Sequence, residues 1–264
     1  MNLRLDGKTA LVTGSTAGIG YAIAEGLAAQ GARVIVNGRT QARVDDAIRN
    51  IKATQSNAQL VGAVADLGTA AGADLLVKAH PNVDVLVNNV GVFAPKPFEE
   101  IPDADWLRFF EVNVMLGVRL ARAYLPQMRK ANWGRIIFIS SESGVQIPVE
   151  MIHYGVTKTA QIALARGIAE SVAGTGITVN SVLPGPTKSE GIETFVAELA
   201  KNAGISEADF EKQFFATMRP TSLLKRFATP EEVANMVVYV CSPAASATNG
   251  AALRVDGGVI RAIL

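Results

Sequence analysis

The sequence predicts an α/β fold in which one doubly wound, seven-stranded parallel sheet carries helices on both faces. Three observations predict it. Short β-branched apolar runs alternate with stretches of helical periodicity along the chain, as in a parallel sheet with right-handed crossovers. The runs are near-continuous rather than alternating, which is how strands covered on both faces read. A glycine-rich turn joins the first run to the first helical stretch.

The strands are expected at Thr9–Thr13, Arg33–Asn37, Leu60–Val64, Val83–Val87, Arg135–Ser140, Ile177–Leu183 and Ala251–Val255. The helices between them are expected at Ile19–Gln30, Gln41–Thr54, Thr69–Ala79, Asp103–Arg129, Ile152–Ala173 and Pro230–Val240. Thr229-Pro230-Glu231-Glu232 marks one helix start with an N-cap, a proline at N1 and a glutamate at N3. One long segment interrupts the alternation, between the strand ending near Leu183 and the helix beginning at Pro230. Two helices are expected in it, Glu190–Asn202 and Glu207–Met218, the second capped by Ser206 with Asp209 at the capping-box position. An insertion of this length at the C-terminal edge of a strand reads as a lid or binding loop.

No linker or low-complexity tract divides the 264 residues, so residues 1–264 are expected to form a single domain. With 25 basic and 24 acidic residues, the chain lacks the cationic surplus that sequence-independent nucleic-acid binding needs. Cys241 is the only cysteine and His80 and His153 the only histidines, so neither a structural zinc nor a Cys- or His-based triad is expected. Cys241, at the end of the apolar stretch from Met236, reads as a small buried hydrophobe. No apolar run approaches the roughly 18 residues that span a bilayer, and Met1–Val12 has no targeting pattern. A cytoplasmic setting is expected.

The turn Thr13-Gly14-Ser15-Thr16-Ala17-Gly18-Ile19-Gly20 follows the first strand and opens the first helix. Gly14 permits the tight turn, Gly18 lets a pyrophosphate approach the backbone, and Gly20 lets the helix pack against the strand. The free N–H groups and the dipole of the helix then favour phosphate. In order along the chain come Asn88-Asn89-Val90-Gly91 after the fourth strand, Asn113 in the next helix, and Ser141 after the fifth strand. Tyr154-x-x-x-Lys158 and, after the sixth strand, Pro184-Gly185 complete the series. Together these motifs resemble the short-chain dehydrogenase/reductase family of the classical type, over residues 5 to 258.

The resemblance implies a Rossmann-type fold with a substrate lid at about residues 186–226 and hydride transfer between a nicotinamide coenzyme and a carbonyl or alcohol. It implies catalytic roles for Asn113, Ser141, Tyr154 and Lys158. Tyr154 would act as the proton donor or base and Lys158 would lower the pKa of its phenol, a shift of ~3 units being worth about 4 kcal/mol. Lys158 would also hold the nicotinamide ribose, Ser141 the substrate oxygen, and Asn113 a water linking Lys158 to solvent. Coenzyme contacts are implied for Gly14, Ser15, Thr16, Gly18, Ile19 and Gly20, for Asp66 and Leu67, for Asn89 and Gly91, for Pro184 and Gly185, and for Thr187 and Ser189. Asp66 would meet the adenine, with a simple turn-forming role as the alternative. The expected partner is a small carbonyl or alcohol substrate, in a homodimer or homotetramer paired through the helices Asp103–Arg129 and Ile152–Ala173.

At the end of the second strand stands Asn37-Gly38-Arg39-Thr40. Gly38 takes the place of the aspartate that binds a ribose 2′-hydroxyl, and Arg39 can grip a 2′-phosphate bidentately, so NADP(H) is expected over NAD(H). Ala17 lacks the second basic group of NADP-preferring relatives, and a solvated Arg39 is the alternative. Val90 stands where the family has alanine. Glu142 reads as a solvent-facing loop carboxylate, with contact to a cationic or hydroxylated substrate group as the alternative, and His153 as a packed residue or one at the pocket mouth. Lid residues such as Phe210, Phe214, Phe215 and Met218 read as the apolar underside of lid helices. A 3-oxoacyl-[acyl-carrier-protein] reductase docking near Arg129 and Lys130 is a second enzymatic reading, and a coenzyme-binding regulator without turnover a non-enzymatic one.

Overall fold

The structure is a computed structural model that describes residues 1–189, 196–197, 200–201 and 204–263. Seven strands form one sheet, β1 (Thr9–Val12), β2 (Arg33–Gly38), β3 (Gln59–Val64), β4 (Val85–Asn88), β5 (Gly134–Ile139), β6 (Ile177–Pro184) and β7 (Ala252–Val255). Every neighbouring pair is parallel, in the order β3-β2-β1-β4-β5-β6-β7. The chain leaves β1 toward one edge and returns at β4 on its other side. The connections after β1 and β4 therefore diverge and open a crevice at the C-terminal ends of these strands.

Successive strand residues point to opposite faces, and two cores result. Ala10, Val12, Val34 and Val36 pack under α1 (Gly18–Ala29) together with Val233 and Val237 from a helix near the C-terminus. Leu11, Ile35 and Leu86 pack on the other face with residues of α3 (Ala70–Ala79) and of two later helices. The five inner strands are buried nearly throughout, as their apolar runs require. The edge strands β3 and β7 are not: about half of each faces water. Their side chains extend past the helices laid over the centre of the sheet.

Helix α2 (Gln41–Thr54) is capped by Thr40, and α3 by Thr69, each accepting from a backbone N–H three residues on. The helix expected over Asp103–Arg129 forms without a break in its helical backbone, but its hydrogen-bond register changes once. It divides into α4 (Asp103–Phe110) and α5 (Leu116–Ala131), with a π-helical turn at Glu111–Met115 between them. Arg129 at the end of α5 donates to the Ser171 carbonyl at 2.7 Å. It thereby ties α5 to α6 (Ile152–Ser171).

The insertion after β6 contains α7 (Glu207–Thr217), capped by Ser206 with Asp209 hydrogen-bonded back to it as expected. The other expected lid helix, Glu190–Asn202, lies largely outside the described residues, as does Phe195. The two ends of the insertion meet in a parallel bridge between Thr187 and Ala228. Lys188 N–H donates to the Ala228 carbonyl and Ala228 N–H to the Pro186 carbonyl, each at 2.9 Å. Phe215 and Phe227 are buried there with Val196, and Phe210 and Phe214 pack against them, giving the insertion a small core of its own. Helix α8 (Pro230–Cys241) begins with the expected capping box between Thr229 and Glu232. Cys241 is fully buried within the first core, and burial pushes its thiol up to about 12. No helix among the described residues is long and apolar enough to cross a membrane.

Candidate active site

The glycine-rich turn is held by its neighbours at both strand ends. Gly14 and Gly18 both adopt positive φ, +62° and +56°, a region that costs a side chain. Gly20 has no space for one: a Cβ there would lie 2.3 Å from the Gly14 carbonyl oxygen. Asn37 accepts from Gly14 N–H and donates to the Ala63 and Ala65 carbonyls, tying the turn to β2 and β3. Ser15 is fully buried, its hydroxyl donating to the Val12 carbonyl and accepting from Asn37 N–H. From β4, Asn89 donates to the Thr13 and Gly14 carbonyls, and the Thr13 hydroxyl accepts from Asn89 and Val90 N–H. Asn37 and Thr13 are the supports that motif matching missed. An asparagine ending a buried strand was the available signal for the first.

Helix α1 opens without a side-chain cap and without an acidic residue in its first turn. Its leading N–H groups thus stay available to an anion. Thr16 and Val44 crowd Gly38, where a Cβ would lie 2.5 Å from the Thr16 methyl. Arg39 is exposed and makes no ion pair among the described residues. Asp66, also exposed, accepts from Gly68 N–H at 3.0 Å in a local turn. Leu67 is buried beside it. Ser189 from the lid stem stands over Gly18, with its Cβ 3.1 Å from the position a Gly18 Cβ would take. A turn with little side-chain bulk, an uncapped helix start and a free cation at the β2 end suit a dinucleotide that carries phosphates.

Beyond β4 and β5 a cavity of about 270 Å³ is lined by Ser141, Tyr154 and Lys158. Asn89, Gly91, Pro184, Gly185, Thr187 and Ser189 also border it, so residues far apart in sequence meet there. Tyr154 and Lys158, one helical turn apart on α6, face the same way, with Lys158 Nζ 5.5 Å from the tyrosine ring centroid. Lys158 Nζ donates to the Ile139 carbonyl at 2.8 Å and to Gln161 Oε1 at 3.2 Å. Gly91 lies directly against it, since a Cβ there would be 3.4 Å from Nζ.

Asn113 reaches this group through its backbone. Its side chain pairs with both the N–H and the carbonyl of Val92 and donates to the Thr157 hydroxyl. Its carbonyl accepts from Gln161 Nε2 at 2.5 Å. Asn113 lies within the π-helical turn Glu111–Met115, and such turns recur at functional positions. The buried Gln161 side chain thus bridges Lys158 and the Asn113 carbonyl. Sequence reasoning missed Gln161 because nothing in its spacing distinguishes it from a core residue of α6.

Burial pushes the Tyr154 phenol above its ordinary 10, and the Glu142 carboxylate pushes it further. The nearby Ser141 hydroxyl and the charge of Arg219 oppose the rise without overcoming it. Burial likewise pushes Lys158 down to about 7, with Glu142 opposing. In the protein alone, burial and Glu142 thus hold the phenol in its protonated form.

Glu142 corrects a second expectation. It is not solvent-facing: it is 5% exposed, lines the cavity and pairs with Arg219 from the lid. Burial works to lower the Arg219 guanidinium, but Glu142 and Glu150 together hold it above its ordinary value. His153 is packed rather than at the pocket mouth, with its ring 4.1 Å from that of Phe109 and 6.0 Å from that of Trp106. Phe214, Phe227 and Met218 serve two purposes, as the lid's apolar underside and as cavity wall.

The family profile described as short chain dehydrogenase matches residues 8–200. The chain is 49% identical over 263 residues to the uncharacterized oxidoreductase YvaG of Bacillus subtilis, covering 100% of both chains. It is 32% identical to a D-beta-hydroxybutyrate dehydrogenase of Cupriavidus necator, over 96% of this chain and 98% of the other. Among solved structures, the L-sorbose reductase of Gluconobacter frateurii, complexed with NADPH and L-sorbose, superposes with a TM-score of 0.93 at 33% identity, covering all of both chains. The motifs, the fold and these relationships agree: the chain is an oxidoreductase that belongs to the short-chain dehydrogenase family.

Proposed function

We propose that the protein is an NADP(H)-dependent reductase or dehydrogenase that interconverts a small ketone or aldehyde with its alcohol. The observation that carries this reading is the meeting of Ser141, Tyr154 and Lys158 at one cavity beside the glycine-rich turn. The bound coenzyme supplies or accepts the hydride. The chain's own residues handle the oxygen and its proton. Ser141 and Tyr154 present hydroxyls to the substrate oxygen, where negative charge develops. Tyr154 carries the proton, and a protonated Lys158 beside it would favour its phenolate when the coenzyme is bound. Gln161, anchored on the Asn113 carbonyl, and the Ile139 carbonyl accept from Lys158 and so fix the direction of its amine.

The coenzyme contacts inferred from the motifs form part of the same proposal: Gly14, Thr16, Gly18, Ile19 and Gly20 at the turn, Asp66 and Leu67 after β3, and Thr187 and Ser189 at the lid stem. In this reading residues 1–264 are one catalytic domain, with 186–226 closing over the substrate. The preference for NADP(H) rests on Arg39, exposed and without an ion-pair partner among the described residues, next to a glycine crowded by Thr16 and Val44. The solved relative complexed with NADPH supports it. Arg39→Ala is expected to weaken NADPH about 10- to 50-fold, from the loss of a charge-assisted phosphate contact, and to leave NADH nearly unchanged. Initial rates against each coenzyme check this, and an unaltered NADPH/NADH ratio would remove Arg39 from the role.

The activity itself is tested by coenzyme oxidation over a panel of ketones, aldehydes, quinones and 3-oxoacyl thioesters. Turnover of any member is the expected result. Binding of NADPH without turnover of any would favour a coenzyme-binding regulator. A homodimer or homotetramer in the cytoplasm is proposed on the family relationship, and sedimentation of the purified chain tests the assembly.

A further inference from the structure

One feature of the cavity is used by none of the steps above: a buried ion pair beside the hydroxyl that would hold the substrate oxygen. Glu142 follows Ser141 in the 3-10 turn Glu142–Gly144, which is pressed so closely against α6 that a Cβ on Gly144 would lie 2.9 Å from the Lys158 backbone. The position of the carboxylate is thus set by the same turn that places Ser141. Glu142 Oε2 accepts from the Ser141 hydroxyl at 2.5 Å, from Ser143 N–H at 2.8 Å and from the Ser143 hydroxyl at 3.1 Å. Glu142 Oε1 accepts from Arg219 Nε at 3.1 Å, its one partner among the described residues. Oε2 is crowded by three donors while Oε1 has one, so Oε1 keeps room for another donor. Arg219 is itself held at 3.0 Å by Glu150 and donates to the Met218 carbonyl.

Two consequences follow for what can bind. A carboxylate next to the reacting carbonyl would bring a second anion against Glu142 and offer it no donor, which is unfavourable in a poorly screened site. The Ser141 proton is also committed to Glu142. For Ser141 to turn that proton toward a substrate oxygen, Glu142 must lose a donor, which is costly for a buried charge unless another replaces it. A hydroxyl on the carbon next to the carbonyl is such a replacement. Standard bond lengths place its oxygen about 3 Å from the carbonyl oxygen, close to the separation of Ser141 Oγ and Glu142 Oε2. One oxygen of the substrate can therefore face Ser141 while the other donates to Glu142.

We propose that Glu142, held in place by Arg219, is the specificity-determining residue of this site and selects uncharged α-hydroxy ketones or aldehydes over deoxy ketones and 2-oxo acids. The substrate's hydroxyl takes the place of Ser141 on the carboxylate and releases the Ser141 proton to the carbonyl oxygen. The rest of the wall, including Phe93, Phe214 and Met218, is apolar and suits a hydrocarbon remainder. This assignment rests on the oxidoreductase reading above.

The test compares 1-hydroxy-2-hexanone, 2-hexanone and 2-oxohexanoate as substrates of the purified enzyme with saturating reduced coenzyme. The hydroxy ketone is expected to exceed 2-hexanone about 50-fold in kcat/KM, the scale of one hydrogen bond to a buried charge, with 2-oxohexanoate below both. Glu142→Gln is expected to reduce the hydroxy-to-deoxy ratio below about 5 and to narrow the gap to 2-oxohexanoate. Arg219→Lys keeps the charge but loses the fork that joins Glu142 to Glu150, and should lower the same ratio. Because the readout is a ratio within one variant, partial loss of folded protein does not affect it. Equal turnover of all three substrates by the native enzyme, or an unchanged ratio in Glu142→Gln, would overturn the assignment and leave the pair as a latch between lid and core. Coenzyme binding with no turnover of any of the three and of the wider panel would instead overturn the oxidoreductase reading, and this assignment with it.

Discussion

Tyr154→Phe is expected to lower turnover by about 10³-fold or more, the scale of a lost positioned acid or base, while coenzyme affinity stays within about threefold. The substitution removes one oxygen and leaves the ring, which packs edge-on against Phe93 at 6.2 Å. No backbone has reason to move, because the helix carrying Tyr154 is held by Ser140 on the Lys158 carbonyl and by Thr159 on the Gly144 carbonyl. Burial raises the phenol well above its ordinary value in the free protein, so the hydroxyl stays protonated there across the neutral range. Its role is donation in the reductive direction. Fluorescence titration with reduced coenzyme, beside steady-state rates, separates binding from chemistry. Turnover within tenfold of the native enzyme would remove Tyr154 from the proton-transfer role.

Lys158→Met should abolish turnover to a similar degree, and in the coenzyme-free protein it should also raise stability at low pH. The sign follows from the lysine being pushed down to about 7 by burial, against an ordinary value of 10.5. Between those two values the unfolded chain binds a proton at this position that the folded chain does not. Stability of the native protein therefore rises with pH across that window, and below it the folded state bears a buried charge. Methionine has nothing to protonate. The variant is thus expected to melt roughly 5 °C above the native protein at pH 6, taking about 2–4 °C per kcal/mol for a domain this size. The gain should shrink steadily toward pH 10, where the neutral amine still donates to the Ile139 carbonyl and to Gln161. Thermal melts of both proteins across this pH range check it. A difference that does not vary with pH would place the ammonium in a better-compensated setting than its burial indicates. A fall in the Lys158→Met melting point at pH 6 would show that its hydrogen bonds outweigh the cost of burying it.

Local chemistry with a short reach was fully legible in the sequence. The capping boxes, the order of βα units and the glycine-rich turn each depend on residues within a few positions of one another. The catalytic series was legible because its residues stand at fixed places along that regular alternation. Legibility ended where partners come from distant parts of the chain. Nothing near Glu142 in sequence distinguishes a loop carboxylate from a buried one; its neutralising partner, Arg219, stands 77 residues away on the lid. Gln161 was hidden for a similar reason, since its value lies in joining Lys158 to an Asn113 carbonyl 48 residues earlier.

Periodicity and turn chemistry thus determined by themselves that this chain is a doubly wound α/β protein, and the order of its motifs carried the resemblance that marks it as an oxidoreductase, with Tyr154 and Lys158 as the proposed centre. The tertiary structure decided which charges are buried. Solvation depends on what covers a side chain, and here the cover over Ser141 and Glu142 is a lid that the chain reaches only after completing its sixth strand. That burial raises the Tyr154 phenol, lowers Lys158 and places an ion pair in the wall of the cavity proposed to take the substrate.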